Sequence, residues 1–347
     1  MNWDTGTAAR KQVGLDGVNR LAGPVSEVTR LLDSVRSACA AVATRARQVR
    51  IETVAIPAYA AALPVAKATT PTPDPDYFYL SDAETTLAYV LTLDSVNFGS
   101  GYFPHLRKLP GRSGARTIAA HLRRRFAAQG PFTAAELEAL TAADCTRLFG
   151  QEPDGGPVDE LMALFARALN DLGRFLLERY GGRFAGPVEV AAGSAERLVE
   201  ILAQMPLYQD VAVYDGLTVP FYKRAQLAAA DLALTLGGHG LGAFHDLERL
   251  TIFADNLVPH VLRCDGILHY SPALLARIEA EELIPAGAPE EVEIRACAVH
   301  AAELIVAELR RAGCAVSSMQ LDYLLWNRGQ QPGYKARPRH RTRTVFY

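Results

Sequence analysis

The chain has 347 residues, 49% of them apolar and 21% charged, an ordinary globular composition with enough apolar content to bury a large core. Length alone suggests about two domains, and no run reaches the roughly eighteen uninterrupted apolar residues of a transmembrane helix, so disordered, fibrous and membrane-spanning classes are excluded. The formal net charge of −2 gives no general attraction for polyphosphate; nucleic-acid binding would need a local basic patch, and no nucleic-acid partner is expected.

The first residues, MNWDTGTAARKQ, lack a basic region followed by an apolar one, so a cytoplasmic location is expected. Helical signals then recur almost throughout. Residues 21–50 read as one or two amphipathic helices around Gly23-Pro24, and 56–63 as a short one. The Pro/Thr-rich KATTPTPDPD, residues 67–76, reads as a flexible surface loop. Ser81 with Glu84 reads as a capping box opening a helix through Leu87, Val90, Leu91 and Leu93, which ends in LDSVNF, residues 93–98. Further helices are predicted over 115–129, 133–148, 157–180, 194–204 and 221–236, the last closed by Gly237-Gly238. Ser271-Pro272 is an N-cap with proline at the first helical position, residues 290–312 form a long helix stopped at Gly313, and Ser317 with Gln320 opens the last helix. VEVA (188–191), VAVY (211–214) and the terminal TVFY are candidate strands, too few for a sheet-based fold. The expected fold is mainly α, one compact unit over residues 1–347 built of two helical lobes. The five cysteines, Cys39, Cys145, Cys264, Cys297 and Cys314, are scattered and never spaced as CxxC. Buried thiols in a reducing compartment are expected, without a disulfide framework or a zinc site.

Four segments concentrate chemistry. LPGRSGARTIA, 109–119, loosely matches a helix-hairpin-helix turn, with Arg112-Ser113 where an apolar residue belongs; a plain glycine turn before a helix is the competing reading. The arginine run Arg123 to Arg125 beyond it reads as a solvated face. VPFYKRAQLAAADL, 219–232, puts Tyr222, Lys223 and Arg224 at a helix start, where the macrodipole disfavours cations, so an anionic partner such as phosphate is implied unless both side chains snorkel to solvent. Lys223 and Asp231 lie two turns apart on one face, and an amine beside an acid is also the pairing of a Schiff-base lyase. In FHDLERLTIFADNLVP, 244–259, Phe244, Leu247, Leu250, Thr251 and Ala254 keep helical spacing until Pro259 forces a break, which places Asp255 at a helix end. That carboxylate is either a cap for the next turn or a catalytic acid. In SSMQLDYLLWNRG, 317–329, Asp322 and Trp326 stand one turn apart, a carboxylate and an aromatic plate suited to a planar, amine-bearing ligand; the competing reading is a first-turn acid favoured by the helix dipole. The basic tail GYKARPRHRTRTVFY ends in an apolar segment and is expected to dock.

LDSVNF, FYKRAQ, LTIFADNLVP and QLDYLLW, in this order with EEVEIRA between the last two and HRTRTVFY at the close, together resemble the queuosine salvage family from about residue 80 onward. The resemblance implies a mainly helical fold similar to the helix-hairpin-helix DNA glycosylases. It also implies hydrolysis of the N-glycosidic bond of queuosine 5′-monophosphate, a small-molecule partner, with release of queuine for reinsertion into tRNA. Carried over by motif, the catalytic carboxylate falls on Asp255, Phe253 and Ala254 line the base pocket, and Asp322 and Tyr323 hold queuine. Asn327 stands where a second acid is often found, so one contact to the ligand's polar side chain is expected to differ. Asp94 and Asn97 of LDSVNF, together with Tyr222, Lys223, Arg224, Asp231 and Trp326, complete the candidate substrate contacts.

Queuine is a 7-deazaguanine, so the ring nitrogen that purine hydrolases commonly protonate is replaced by carbon. The enzyme must then stabilise positive charge on the ribose and negative charge on the departing base, and a carboxylate on the sugar does the first. Nucleophilic attack by that carboxylate and activation of water are both compatible with the sequence. Queuine's amine asks for an acid, which Asp322 supplies, and the phosphate for cations, which Lys223, Arg224 or the C-terminal arginines supply. No cofactor or metal is required. Two other readings stand beside this one, a DNA-repair glycosylase or lyase and a non-catalytic queuine-binding protein. Ile56, Pro57 and Tyr59 are expected to supply part of a pocket wall.

Overall fold

The computed structural model describes residues 30–67 and 81–347. The predicted helix and loop segments before residue 30, including Gly23-Pro24, and over residues 68–76 lie outside the described residues. The rest is mainly helical, with four short strands in two antiparallel pairs.

One half is organised around α7 (Pro157–Tyr180), whose Val158, Leu161, Met162, Phe165, Leu169, Leu172 and Leu176 recur at three- and four-residue intervals and are buried. Pro157 stands at its first position and Gly181, at φ 60°, ends it in the left-handed conformation that favours glycine. α7 packs on α3 (Ala83–Ser95), α5 (Ala134–Ala139), α6 (Ala142–Leu148) and α8 (Ala185–Ala191), with α4 (Gly114–Gln129) covering α3. At the α5 crossing a Cβ on Gly173 would come within 2.4 Å of the Ala134 carbonyl, so only glycine allows the approach. The predicted single helix over 133–148 is two, because Thr133 with Glu136 and Thr141 with Asp144 form successive capping boxes, each opening its own helix.

The other half surrounds α13 (Pro289–Arg311), which is buried on almost every side and packs on α1 (Leu31–Arg45), α2 (Ile56–Ala62), α11 (Val258–Cys264) and α14 (Ser318–Gly329). Glu293 on α13 accepts the N–H groups of Arg47, Gln48 and Val49 at 2.6–3.0 Å. That is why the predicted helix over 21–50 stops at Arg45: the chain turns into β1 (Val49–Ile51), paired with β4 (Leu268–Tyr270) ahead of α12 (Pro272–Glu279). VAVY is a strand as expected, β2 (Val211–Tyr214), paired with β3 (Leu217–Pro220). Between the halves lies α10 (Lys223–Thr235), packed on α3 and on α9 (Ala195–Leu202).

Three local expectations are overturned. Asp82, not Ser81, caps α3, accepting the Thr85 N–H at 3.0 Å, while Glu84 reaches across to accept the N–H groups of Phe184 and Ala185. Those groups open α8, so VEVA is helical: the remote carboxylate satisfies donors that a helix start leaves free. The terminal TVFY forms no strand. It docks through Tyr347, whose hydroxyl donates to Glu291 at 2.9 Å and whose carbonyl accepts from Gly99. All five cysteines are free thiols, and among the described residues no helix is long and apolar enough to cross a membrane.

Candidate active site

The segment 244–257 does not fold as its spacing predicts. Beyond a single 3-10 turn at Leu247–Arg249 it is irregular, and Pro259 stands inside the first turn of α11 instead of ending a helix. Its hydrogen bonds go to side chains of other elements. Asp246 caps α9, accepting from Ser194 Oγ and from the N–H groups of Ala195 and Glu196. Gln226 of α10 accepts the Thr251 N–H at 2.8 Å and donates to its hydroxyl at 2.9 Å. Asp322 of α14 accepts the Phe253 N–H at 2.9 Å, and Arg295 of α13 donates to the Ala254 carbonyl at 2.9 Å. The Asp255 Oδ1 in turn accepts the N–H groups of Leu257 and Val258 at 2.7 and 3.0 Å, capping α11. Three helices thereby fix one carboxylate at the start of a fourth, and capping, one of the two readings of Asp255, is observed.

Asp255 lines a cavity of about 680 Å³, within the range of nucleotide-sized sites. Phe253, Asp322, Tyr323, Trp326, Asn327, Lys223, Asp231 and Asn97 line it as well, so most of the residues singled out in the sequence meet at one place. Phe253 and Tyr323 meet edge to face with ring centroids 6.3 Å apart, and the Tyr323 hydroxyl donates to Asp231 at 2.9 Å. Asp322 is in the second turn of α14 and buried, which removes the helix-dipole explanation for it.

Four of the predicted contacts do not reach the wall. The Ala254 carbonyl is engaged by Arg295, and Tyr222, at φ 50°, precedes α10 outside the cavity lining. Arg224 is buried and donates to the carbonyls of Ser95, at 2.6 Å, and Leu207, with its guanidinium over the rings of Phe98 and Tyr208. Asp94 is fully buried behind Asn97. The anion implied by two cations at the start of α10 is therefore supplied largely by the protein: Arg224 meets the carbonyls of Ser95 and Leu207, and Lys223 donates to the Asn97 carbonyl at 3.3 Å with Asp255, Asp94 and Asp322 close enough to stabilise its charge. Neither snorkels. Ile56, Pro57 and Tyr59 also lie off the wall; Tyr59 supports it indirectly, donating to Asp265, which also accepts from Tyr334 of the rim.

Burial dominates the electrostatics. It pushes the carboxyls of Asp322 and Asp94 well above the usual carboxylate range, the first aided by Asp255 and the second by Asp231. Asp231 is pushed up to about 6 against the Tyr323 hydroxyl and Lys223, which favour its charge. The Lys223 ammonium is pulled down by the same burial.

Sequence reasoning gave the rim little weight. Lys108, Arg112, Lys335, Arg337, Arg339 and Arg341 converge on the mouth from the turn before α4 and from the tail. The tail is held by α11: His260 meets the Tyr334 carbonyl at 2.9 Å, and Arg263 donates to the Pro338 carbonyl at 2.6 Å. The basic tail was the available signal, and its proximity to the motifs is tertiary. The loose hairpin match resolves as a glycine turn at Gly111, φ 72°, leading to Ser113, which caps α4; a 3-10 turn at Phe103–His105 precedes it, and no two-helix hairpin forms there.

A family model described as queuosine salvage protein matches residues 77–347. The queuosine 5′-phosphate N-glycosylase/hydrolase of Sphaerobacter thermophilus is 40% identical over 311 residues, covering 88% of this chain and 95% of that protein. The protein of the same name from Mus musculus is 33% identical over 280 residues, 76% of this chain and 82% of its own. That from Dictyostelium discoideum is 32% identical over 270 residues, 76% and 79% respectively.

Proposed function

This chain belongs to the queuosine salvage protein family, and we infer that it is an N-glycosyl hydrolase that cleaves the N-glycosidic bond of queuosine 5′-phosphate and releases queuine. The observation that carries the assignment to this cavity is the fixed Asp255 carboxylate, with Oδ1 committed to the α11 N–H groups and Oδ2 accepting no hydrogen bond among the described residues. With Oδ1 fixed by the α11 N–H groups and Oδ2 left for the ribose, Asp255 acts as a preorganised negative charge that stabilises the developing positive charge and orients the water that adds to the anomeric carbon; attack by Oδ2 on that carbon is the competing course. The C–N bond breaks, its electron pair leaves with the base, and a proton derived from water ends on the base. Preorganisation matters because the loop needs no rearrangement when positive charge develops on the sugar.

Trp326 and Phe253 offer ring faces and edges to the planar base, and Asp322 and Asp231 are the acids available to queuine's amine. The 5′-phosphate belongs with the rim cations, Arg337, Arg339 and Lys108, since Lys223 already faces Asp94, Asp255 and Asp322. Because the segment after α3, α10, α11, α14 and the tail all contribute to one wall, the described chain works as a single unit. Incubation with queuosine 5′-phosphate, free queuosine and a lesion-bearing DNA duplex, each assayed for released base, tests the reading. Release is expected from the nucleotide above all. Release from the duplex alone would replace the reading with a repair activity, and tight queuine binding without any release would reduce it to a binding protein.

A further inference from the structure

We propose that Asp94 is a positioning residue for the hydrolysis, holding the Lys223 ammonium charged and aimed at Asp255 from behind the cavity wall. The proposal rests on the assignment of Asp255 given above. Asp94 lies in the last turn of α3, is 0% exposed and does not line the cavity, so it has no access to substrate. Its Oδ2 is buried without a hydrogen-bond partner, and its Oδ1 meets only the Asn97 side-chain amide, at 3.4 Å. A carboxylate so placed is costly unless a charge compensates it. Lys223 is the cation that acts on it most, ahead of Arg224, whose terminal nitrogens are taken up by two carbonyls. Asn97 connects the two: its amide contacts Asp94 and its carbonyl accepts from Lys223 Nζ.

The groups facing Lys223 are Asp94 from α3, Asp255 from the pinned loop, Asp322 from α14, and Asp231 and Arg224 from its own helix. Of the four acids, Asp255, Asp322 and Asp231 line the cavity, where a bound substrate changes their surroundings. Asp94 is the one that substrate does not touch. Asp255 favours the lysine's charge most, and Asp94, itself buried and favoured as an anion by the same lysine, goes on doing so when substrate occupies the cavity.

The chain has five lysines, so ε-carbon-labelled lysine gives a resolvable NMR titration, with the Lys223 signal assigned by its loss in Lys223→Arg. Lys223 is expected to be protonated at neutral pH in the wild type. In Asp94→Asn its titration should move down by about one pH unit or more, the effect expected of losing an opposite charge at close range. The basic limb of the kcat profile should move with it, kcat should fall about tenfold, and KM should stay within about twofold. Asp94→Glu should restore the titration. An unmoved Lys223 titration in Asp94→Asn, or a raised KM at unchanged kcat, would overturn the proposal. Should Asp94→Asn fail to fold, the wild-type titration decides, since a neutral Lys223 at neutral pH overturns it as well. If the wild type releases no queuine, the functional reading fails, while the titration still decides the coupling.

Discussion

Two buried ionic clusters sit next to each other in this molecule and are built on opposite plans. Around Arg295, everything is matched: Asp210 accepts both guanidinium nitrogens at 3.0 and 2.7 Å, Glu291 stands 3.6 Å away and accepts from Tyr347, and the guanidinium is sandwiched between the rings of Phe221 and Tyr347 at 3.9 and 4.7 Å. Around Lys223, Asp94, Asp231, Asp255 and Asp322 crowd a single ammonium, and Asp94 keeps an orphaned oxygen. The matched cluster fixes backbone; it holds the Ala254 carbonyl and, through Asp210, the Lys223 N–H. The unmatched cluster holds an excess of acids against a cavity, an arrangement that suits the proposed ligand, which brings positive charge on its amine and develops more on its ribose. Rigidity and the proposed reactivity are thus divided between neighbours, with Arg295 fixing the loop that carries Asp255.

Breaking the matched side gives the largest effect. Arg295→Met leaves two buried carboxylates uncompensated, and the protein should lose about 3–5 kcal/mol of unfolding free energy in chemical denaturation. A loss below about 1 kcal/mol would mean that the cluster is not the clamp described here. On the unmatched side the order reverses, with large effects on rate and small ones on stability. Asp255→Asn keeps the shape of the cap and deletes the charge, so kcat should drop on the order of a hundredfold or more while queuine binding survives. Turnover close to wild type would remove Asp255 from the chemistry.

Asp322→Asn sharpens the comparison, since it keeps an acceptor for the Phe253 N–H but loses the acid proposed for the ligand's amine. The specificity constant for queuosine 5′-phosphate should fall about ten- to hundredfold, and that for a guanine nucleotide, poor at the outset, should hardly change. Parallel losses on both substrates would assign Asp322 to loop anchoring alone. The smallest effect concerns pH. Burial pushes the Asp231 carboxyl up to about 6, above the ordinary carboxylate range it keeps in the unfolded chain, so between about pH 4 and 6 the unfolded chain releases its proton first and stability falls as pH rises. Asp231→Asn should therefore show a Tm equal to wild type near pH 4 and a few degrees higher near pH 8. A difference that is constant across that range would show that Asp231 is not held out of its charged form.

Local chemistry in the sequence determined a great deal here. The period of α7, the proline and serine that open α12, the box that opens α14 and the glycine that ends α13 each act within a turn or two of their own position, so reading the chain in order recovers them. The candidate residues were legible in the same way, each beside a local alternative: Asp255, Asp322, Tyr323, Trp326 and Lys223 line one cavity, and Asp255 also caps α11. The tertiary structure decided whatever depends on a partner from elsewhere in the chain. Residues 244–254 have the spacing of a helix and are not one, since Gln226, Asp322 and Arg295 supply the hydrogen bonds that a helix would have supplied to itself. VEVA has the alternation of a strand and is helical, since Glu84, about a hundred residues earlier, caps it. Lys223 and Arg224 looked like a phosphate clamp and are met instead by the carbonyls of Asn97, Ser95 and Leu207. A buried donor or charge must be satisfied by something, and sequence spacing reports only the candidates within reach along the chain. The rest are brought within hydrogen-bonding distance by the packing of α3, α10, α13 and α14 around one loop.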